Sequence, residues 1–242
     1  MFYYLLTPIM RFNIVLILSA VLPAVFMMAR VYRLDRLEKE SGRFLWNLVK
    51  AGILSSLIAM VSEKIFFSVL GTFFSPSSTA YKIILYFVIV GISEEGAKYY
   101  MLKKNSWFSP EFDCFYDGVL YGVFVALGFA LWENISYVLN FGFATAVVRA
   151  LTAIPGHASF GVFMGVFYAA AKLYHIYGDE MSSQRFRILS VLIPVLLHGA
   201  YDYIATMETV TENPLFIIFI AILFISANIV VSRVSRNDRY MV

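Results

Sequence analysis

Seven apolar windows of about 20 residues each run through this chain, and segments of that length and composition leave their backbone few choices. They fall at residues 12–31, 48–70, 81–102, 117–139, 144–171, 188–206 and 214–232. Lipid offers no partner for an N–H or C=O, so each window must satisfy its own backbone, which means a helix. Soluble domains carry about 25% charged residues, whereas this chain is 14% charged and 60% hydrophobic. The sequence therefore predicts an all-α fold, a polytopic transmembrane helical bundle of about seven spans. No internal repeat, linker or soluble module interrupts it, so residues 1–242 read as a single integral membrane domain. The window expected to be weakest is the second, because Glu63-Lys64 lies inside it.

Basic residues alternate between the loops. Arg30, Arg33, Arg36, Lys39, Arg43 and Lys50 follow the first window. Lys103 and Lys104 follow the third, Lys172, Arg185 and Arg187 the fifth, and Arg233, Arg236 and Arg239 the last. The other set of loops holds little beyond Arg11, Lys82 and Arg149, with Glu208 and Glu212 adding negative charge. Basic loops stay cytoplasmic, which puts the N-terminus out and the C-terminus in. The first basic cluster follows its apolar run instead of preceding it, the wrong polarity for a cleaved signal. A net charge of +3 is too small to suggest nucleic acid. One cysteine, Cys114, excludes an internal disulfide and a zinc site built from cysteines.

Glu94 and Glu95 stand side by side in Ser93-Glu94-Glu95-Gly96-Ala97-Lys98, within the third window. An ionisable group at that depth costs a few kcal/mol or more unless it is paired, hydrated, protonated or metal-bound, so it marks function by default. On a helix Lys98 falls four residues after one carboxylate and three after the other, within reach of both. The two carboxylates point about 100° apart, so one can face a reaction centre while the other orients a neighbour. The plain alternative is a structural ion pair, but a second carboxylate would then stay uncompensated.

Other windows add to the pair. Phe129-x-x-x-Glu133-Asn134 puts a carboxylate near the outer end of the fourth, where it can also simply reach water. Asp117, at the opposite end, reads as an interfacial residue or cap. In the fifth, Ile154-Pro155-Gly156-His157 predicts a kinked or opened helix beside a histidine, and Gly161 leaves room for a partner helix or ligand. In the sixth, His198 and Asp202 are four apart and share a face. His175 lies in a loop near Tyr174 and Asp179 and reads as solvated. The helical rise puts Glu94, Glu95 and His157 about 20 Å below the outer surface, His198 about 14 Å, and Asp202 and Glu133 about 8–9 Å. One cavity through the middle and outer half of the bilayer can therefore hold them all.

Hydrolysis of a peptide bond inside a membrane needs a localised water, a base and oxyanion stabilisation. A desolvated carboxylate is a competent proton shuttle, and two histidines with an acid can hold zinc, which acidifies bound water. No His-Glu-x-x-His signature is present, so metal ligands would come from several helices. Metal-assisted and glutamate/histidine mechanisms both fit these residue types.

Glu94-Glu95-x-x-Lys98, Phe129-x-x-x-Glu133, Gly156-His157 and His198-x-x-x-Asp202, in this order on successive windows, resemble the PrsW family of intramembrane proteases. That family belongs with the CAAX prenyl proteases and bacteriocin-processing enzymes. The resemblance covers about residues 80–205, the expected catalytic core, and the flanking windows share only hydrophobicity. It implies a multi-pass protease of the bacterial cell membrane that hydrolyses single-pass membrane proteins near the outer face, notably anti-sigma factors, in regulated proteolysis. It implies Glu94 and Glu95 in the general-base step, with Glu133, His157 and His198 completing the water or metal site. Lys98, Asn134 and Asp202 are supporting groups, and the same three residues, His157, His198 and Glu133, are the expected ligands if zinc is present. The CAAX branch usually has Glu-Glu-x-x-x-Arg and Phe-x-x-x-His, so Lys98 and Glu133 favour the PrsW branch over prenylated substrates.

Two other classes compete. Intramembrane Glu, His and Asp chains also make relays in proton- or cation-coupled transporters, but those often show matched pairs of broken helices, and only the Pro155-Gly156 break is evident. A non-catalytic receptor or scaffold would have no reason to keep every buried charge.

Overall fold

A computed structural model describes residues 8–207 and 213–241, with side chains described from residue 14. Glu208, Glu212 and the side chain of Arg11, which enter the charge-based orientation, lie outside the described residues. The elements in order are α1 (Pro8–Leu34), α2 (Gly42–Phe73), α3 (Thr79–Ile83), a π-helix (Ile84–Val90), α4 (Gly91–Ser106), α5 (Phe115–Phe141), α6 (Phe143–Leu151), α7 (Ala153–Ile176), α8 (Glu180–Ala205) and α9 (Pro214–Arg236). The described residues contain no named strand, and the fold is the all-α transmembrane bundle expected.

Six stretches are single helices, or a helix pair, long and apolar enough to cross a membrane: α1, α2, α5, α6 with α7, α8 and α9. The window that falls short is the third, not the second. Its helical run from Thr79 to Ser106 is continuous but divided, and its longest piece, α4, has 16 residues. That piece also carries Glu94, Glu95, Lys98, Lys103 and Lys104. In α2, by contrast, Glu63 interrupts a helix of 32 residues that is otherwise apolar enough to carry it.

Helix α5 forms the centre, with 89% of its apolar window buried. It is apolar on all sides because every side meets another helix. Small residues make that possible: Gly118 and Gly122 of α5 lie against Gly161 and Gly165 of α7, and Gly52 of α2 against Gly128. A Cβ on Gly165 would sit 2.2 Å from the Gly118 carbonyl oxygen, and one on Gly52 2.1 Å from that of Val125. Backbones this close gain dispersion contacts, the main attraction between helices in lipid. Gly161 therefore serves a partner helix. Gly165→Val should force α5 and α7 apart and cost about 1–3 kcal/mol or more, read as a lower unfolding temperature in detergent. Gly96→Ala, where nothing lies within 4 Å of the added Cβ, should not lower it.

Two local departures from regular helix shape the site. The break in the fifth window falls at Thr152 (φ −122°, ψ −67°), not at Pro155-Gly156. Pro155 is the third residue of α7, where its missing N–H has no intrahelical partner to lose. The preceding turn cannot run on through it, so α6 ends and α7 begins at that point. The π-helix widens the turn just before Gly91, whose N–H reaches back to the Tyr86 carbonyl. Gly199 of α8 packs on this segment, where a Cβ would come within 2.5 Å of the Phe87 ring. That approach seats the neighbouring His198 beside α4.

The C-termini of α1, α4 and α9 and the N-terminus of α8 share one end, which holds Arg33, Lys103, Lys104, Arg185, Arg187, Arg233 and Arg236. At that end Asp117 caps α5, its Oδ2 accepting the Cys114 N–H at 2.7 Å, in keeping with the cap reading. His175 lies in the last turn of α7 and not in a loop, half-buried beside Trp107 and hydrogen-bonded to Glu180. On the outer flanks Ile217, Ile218, Ile222, Ile225 and Ile229 of α9 are more than half exposed, a surface suited to acyl chains and not to water.

Candidate active site

Four helices and one short segment bring the sequence-predicted polar residues into one connected network. Lys98 of α4 is its hub. Its ammonium is fully buried and donates to Glu95 Oε1 at 2.7 Å, Glu94 Oε2 at 3.2 Å and His157 Nδ1 at 3.2 Å. It also lies 3.9 Å from the centre of the Phe129 ring, whose π face favours a cation. Spacing alone places Lys98 between the two glutamates; only the fold shows that α7 brings His157 to the same point.

An ammonium can only donate, so His157 Nδ1 accepts and its Nε2 carries the hydrogen. Nε2 donates to Glu133 Oε2 at 2.9 Å. Glu133 also pairs with Arg149 Nη2 at 2.8 Å. Arg149 Nε donates to Asn134 Oδ1 at 2.7 Å, and Asn134 Nδ2 to the Ala20 carbonyl of α1 at 2.8 Å. Asn134 thus supports the site through Arg149. The guanidinium lies 4.1 Å from the Tyr137 ring centre, which holds it from another side.

The other arm runs through α8. His198 Nδ1 donates to Glu95 Oε1 at 2.8 Å, and its ring stacks on Phe160 with centroids 5.0 Å apart. Its Nε2 is 3.5 Å from Asp202 Oδ2, too long for a firm hydrogen bond. Glu95 therefore fixes the ring while Nε2 is left facing the cavity beside Asp202.

The cavity has a volume of about 510 Å³ and is lined by Glu63, Glu94, Glu133, His157, His198 and Asp202, among others. It occupies the half of the bundle toward the C-termini of α5 and α8, away from the basic end. Glu94 lines it and Glu95 does not. Glu95 is wholly buried behind it, with one oxygen, Oε2, lacking any partner. The angular separation of adjacent helical residues thus becomes a difference of environment: one carboxylate meets the cavity, the other holds Lys98 and His198.

All eight predicted residues, Glu94, Glu95, Lys98, Glu133, Asn134, His157, His198 and Asp202, fall in this network. Arg149 does as well, and Glu63 lines the same cavity without a bond to the network. Arg149 reads in the sequence only as a sparse basic residue of an outer loop, and Glu63 only as a blemish in the second window. Both were open to the same argument as Glu94, since each is an ionisable residue in a segment that crosses lipid.

Glu94, Glu95 and His157 each offer a donor atom, all within 4.8 Å of one another. Two carboxylates and an imidazole suit zinc. The set fits a cation, and the ammonium of Lys98, hydrogen-bonded to all three residues, is the cation it holds in this structure. Glu133, His157 and His198 do not form such a group among the described residues. Glu133 is instead neutralised by Arg149.

Comparison with known proteins gives the family. Residues 40–227 match the sequence model of the PrsW family of intramembrane metalloproteases, well beyond the motif-bearing stretch of about 80–205. The chain is 32% identical to Protease PrsW of Halalkalibacterium halodurans over 189 residues, covering 78% of this chain and 82% of that protein. It is 30% identical to Protease PrsW of Clostridioides difficile over 213 residues, 86% and 87% of the two chains. With Protease PrsW of Bacillus subtilis it shares 38% over 120 residues, 50% and 53% of the two. No solved structure matches it. These likenesses favour proteolysis over transport, and with the multi-pass helical bundle they describe a bacterial membrane protein. The buried Glu-Glu-x-x-Lys hub and the family match over residues 40–227 place the chain in the PrsW family of intramembrane proteases.

Proposed function

We propose that this protease cuts single-pass membrane proteins close to the outer face of the bacterial membrane, with an anti-sigma factor as the substrate class. The observation that carries the reading is the acid- and histidine-lined cavity of about 510 Å³ in the half of the bundle away from the basic loops. With basic loops cytoplasmic, the N-terminus is outside, the C-terminus inside, and the cavity faces outward. An unwound segment of a substrate helix can lay its scissile carbonyl there while the rest of that helix stays in lipid.

In this reading Glu94 is the general base. It takes a proton from the attacking water, whose oxygen bonds to the scissile carbonyl carbon. Glu95 is a positioning residue that fixes the His198 tautomer, and Asp202 supports the same ring. Glu94 then passes the proton it took from the water to the departing amine as the C–N bond breaks, while His198 Nε2, unprotonated because Nδ1 donates to Glu95, accepts a hydrogen bond from the water. His157, Glu133, Arg149 and Asn134 hold the opposite wall and the water. If zinc is the cofactor, Glu94, Glu95 and His157 would hold it in place of the Lys98 ammonium, and a bound zinc supplies an acidified water. Metal analysis of purified protein with activity measured before and after chelation tests that point.

The substrate reading is tested in liposomes containing the protein and a single-pass substrate, with cleavage mapped by mass spectrometry. A cut within the outer third of the substrate span is expected; a cut in the cytoplasmic half contradicts it. A reporter fused at Val242 should read cytoplasmic, and an external reading would reverse the topology.

A further inference from the structure

Helices α4 and α8 touch at Gly91, where a Cβ would lie 3.2 Å from the Val195 carbonyl oxygen. From that contact toward the basic end, a groove of about 440 Å³ runs between the two helices and shares no lining residue with the proteolytic cavity. Its walls are graded alike, although the helices run in opposite directions. On α4 the lining passes from Ile92 through Tyr99 to Lys103. On α8 it passes from Val195, Leu192 and Val191 to Arg187 and Gln184. Each wall is about 16 Å long by helical rise, close to half of a hydrocarbon core about 30 Å thick. The groove is therefore apolar where it lies deep in the bilayer and cationic where it reaches the membrane edge.

The lining holds two cations and no carboxylate. Among the described residues Lys103 forms no ion pair. Arg187 has only Glu180 Oε2 at 3.7 Å, too long for a hydrogen bond, and the other oxygen of that carboxylate is bonded to His175. Two lining residues also keep a buried donor unused, the Tyr99 hydroxyl and Arg187 Nε. A buried donor without an acceptor is costly, and both donors, with the Lys103 ammonium, call for a negatively charged acceptor. A phosphodiester supplies one. Basic pockets between spanning helices near the membrane edge suit anionic lipid headgroups. A small soluble anion would leave the apolar two-thirds of each wall uncovered, and a zwitterionic lipid would bring its own cation to Lys103 and Arg187.

We propose that this groove binds one anionic phospholipid of the phosphatidylglycerol class. Its phosphate sits at Lys103 and Arg187, and one acyl chain lies along Leu192, Val195 and Ile92. Tyr99, about 6 Å deeper than Lys103 by helical rise, donates its hydroxyl to an ester oxygen below the phosphate. Seated there, the lipid braces α4 against α8, the two helices joined by the 2.8 Å bond from His198 to Glu95.

Native mass spectrometry of the full-length protein in detergent, titrated with dioleoyl phosphatidylglycerol or dioleoyl phosphatidylcholine, tests the site. One phosphatidylglycerol should be retained per chain, bound about tenfold or more tighter than phosphatidylcholine. Lys103→Gln combined with Arg187→Gln should abolish that preference. Lys104→Gln combined with Arg185→Gln removes the same charge at the same end but outside the groove, and should leave it intact. Tyr99→Phe should weaken phosphatidylglycerol binding about two- to tenfold. Glycerol 3-phosphate, which lacks acyl chains, should not displace the lipid. Should the Lys103 and Arg187 variant fail to fold, Leu192→Trp, which fills the groove from a half-exposed position, must abolish binding in its place. Equal retention of the two lipids, displacement by glycerol 3-phosphate, or loss of the preference in both paired variants alike overturns the proposal. So does a dimer that forms without lipid and is broken by Leu192→Trp, which would give the groove to a second copy of the chain. Glu94→Gln should bind phosphatidylglycerol as wild type does, so this site and the protease assignment stand or fall separately.

Discussion

Lys98→Met should destabilise the bundle by about 3–5 kcal/mol, the usual cost of removing one partner from a buried ion pair. Methionine fills nearly the same space, so packing is a minor part of the loss. What remains is Glu95, wholly buried, with its carboxylate facing only His198. His157 Nδ1 also loses its donor, which frees the ring to change tautomer and lets go of Glu133. Chemical or thermal unfolding in detergent measures the effect. Combining Lys98→Met with Glu94→Gln and Glu95→Gln should recover much of the stability, because no net charge is then stranded, yet restore no cleavage. A Lys98→Met protein as stable as wild type would show that the ammonium is not the hub.

Glu94→Gln should lower the cleavage rate about 10²–10⁴-fold, the range for loss of a general base, with little change in unfolding temperature. Glu94 lines the cavity and makes only the longer of the two glutamate contacts to Lys98, 3.2 Å against 2.7 Å for Glu95. Glu95→Gln should behave differently. Its amide keeps the shape but not the charge that balances Lys98 and orients His198, so activity and stability should fall together. Equal behaviour of the two variants would contradict the division of labour between adjacent residues.

Hydropathy alone was enough to place the helices, because lipid permits little else, and window edges agree with helix ends to within several residues. The breaks were harder. Pro155 drew attention to itself, but a proline in the first turn of a helix disturbs what precedes it, so the irregular residue is Thr152. The π-helix before Glu94 has no sequence signature in Ile84–Val90; it lies where Gly199 packs on Phe87, a contact between distant segments. For the site, the cost of charge in lipid pointed to eight residues that the fold does unite. Arg149 and Glu63 carry the same cost, but an arginine near the end of a window also fits an interfacial charge, and Glu63 beside Lys64 also fits a local interruption of a long span. Which glutamate faces the cavity could not be read from spacing, because helical angle gives the difference between two neighbours and not the direction of either. The arrangement of Lys98 among would-be metal donors was equally hidden, as it requires α7 to deliver His157 to the same point.

The most direct measurement is cleavage of a single-pass membrane substrate by purified wild-type, Glu94→Gln and His198→Ala proteins, each checked for an unchanged fold by its unfolding temperature. Product is expected from wild type alone. Folded variants that both cleave at the wild-type rate would contradict it, and would move the chemistry out of this cavity.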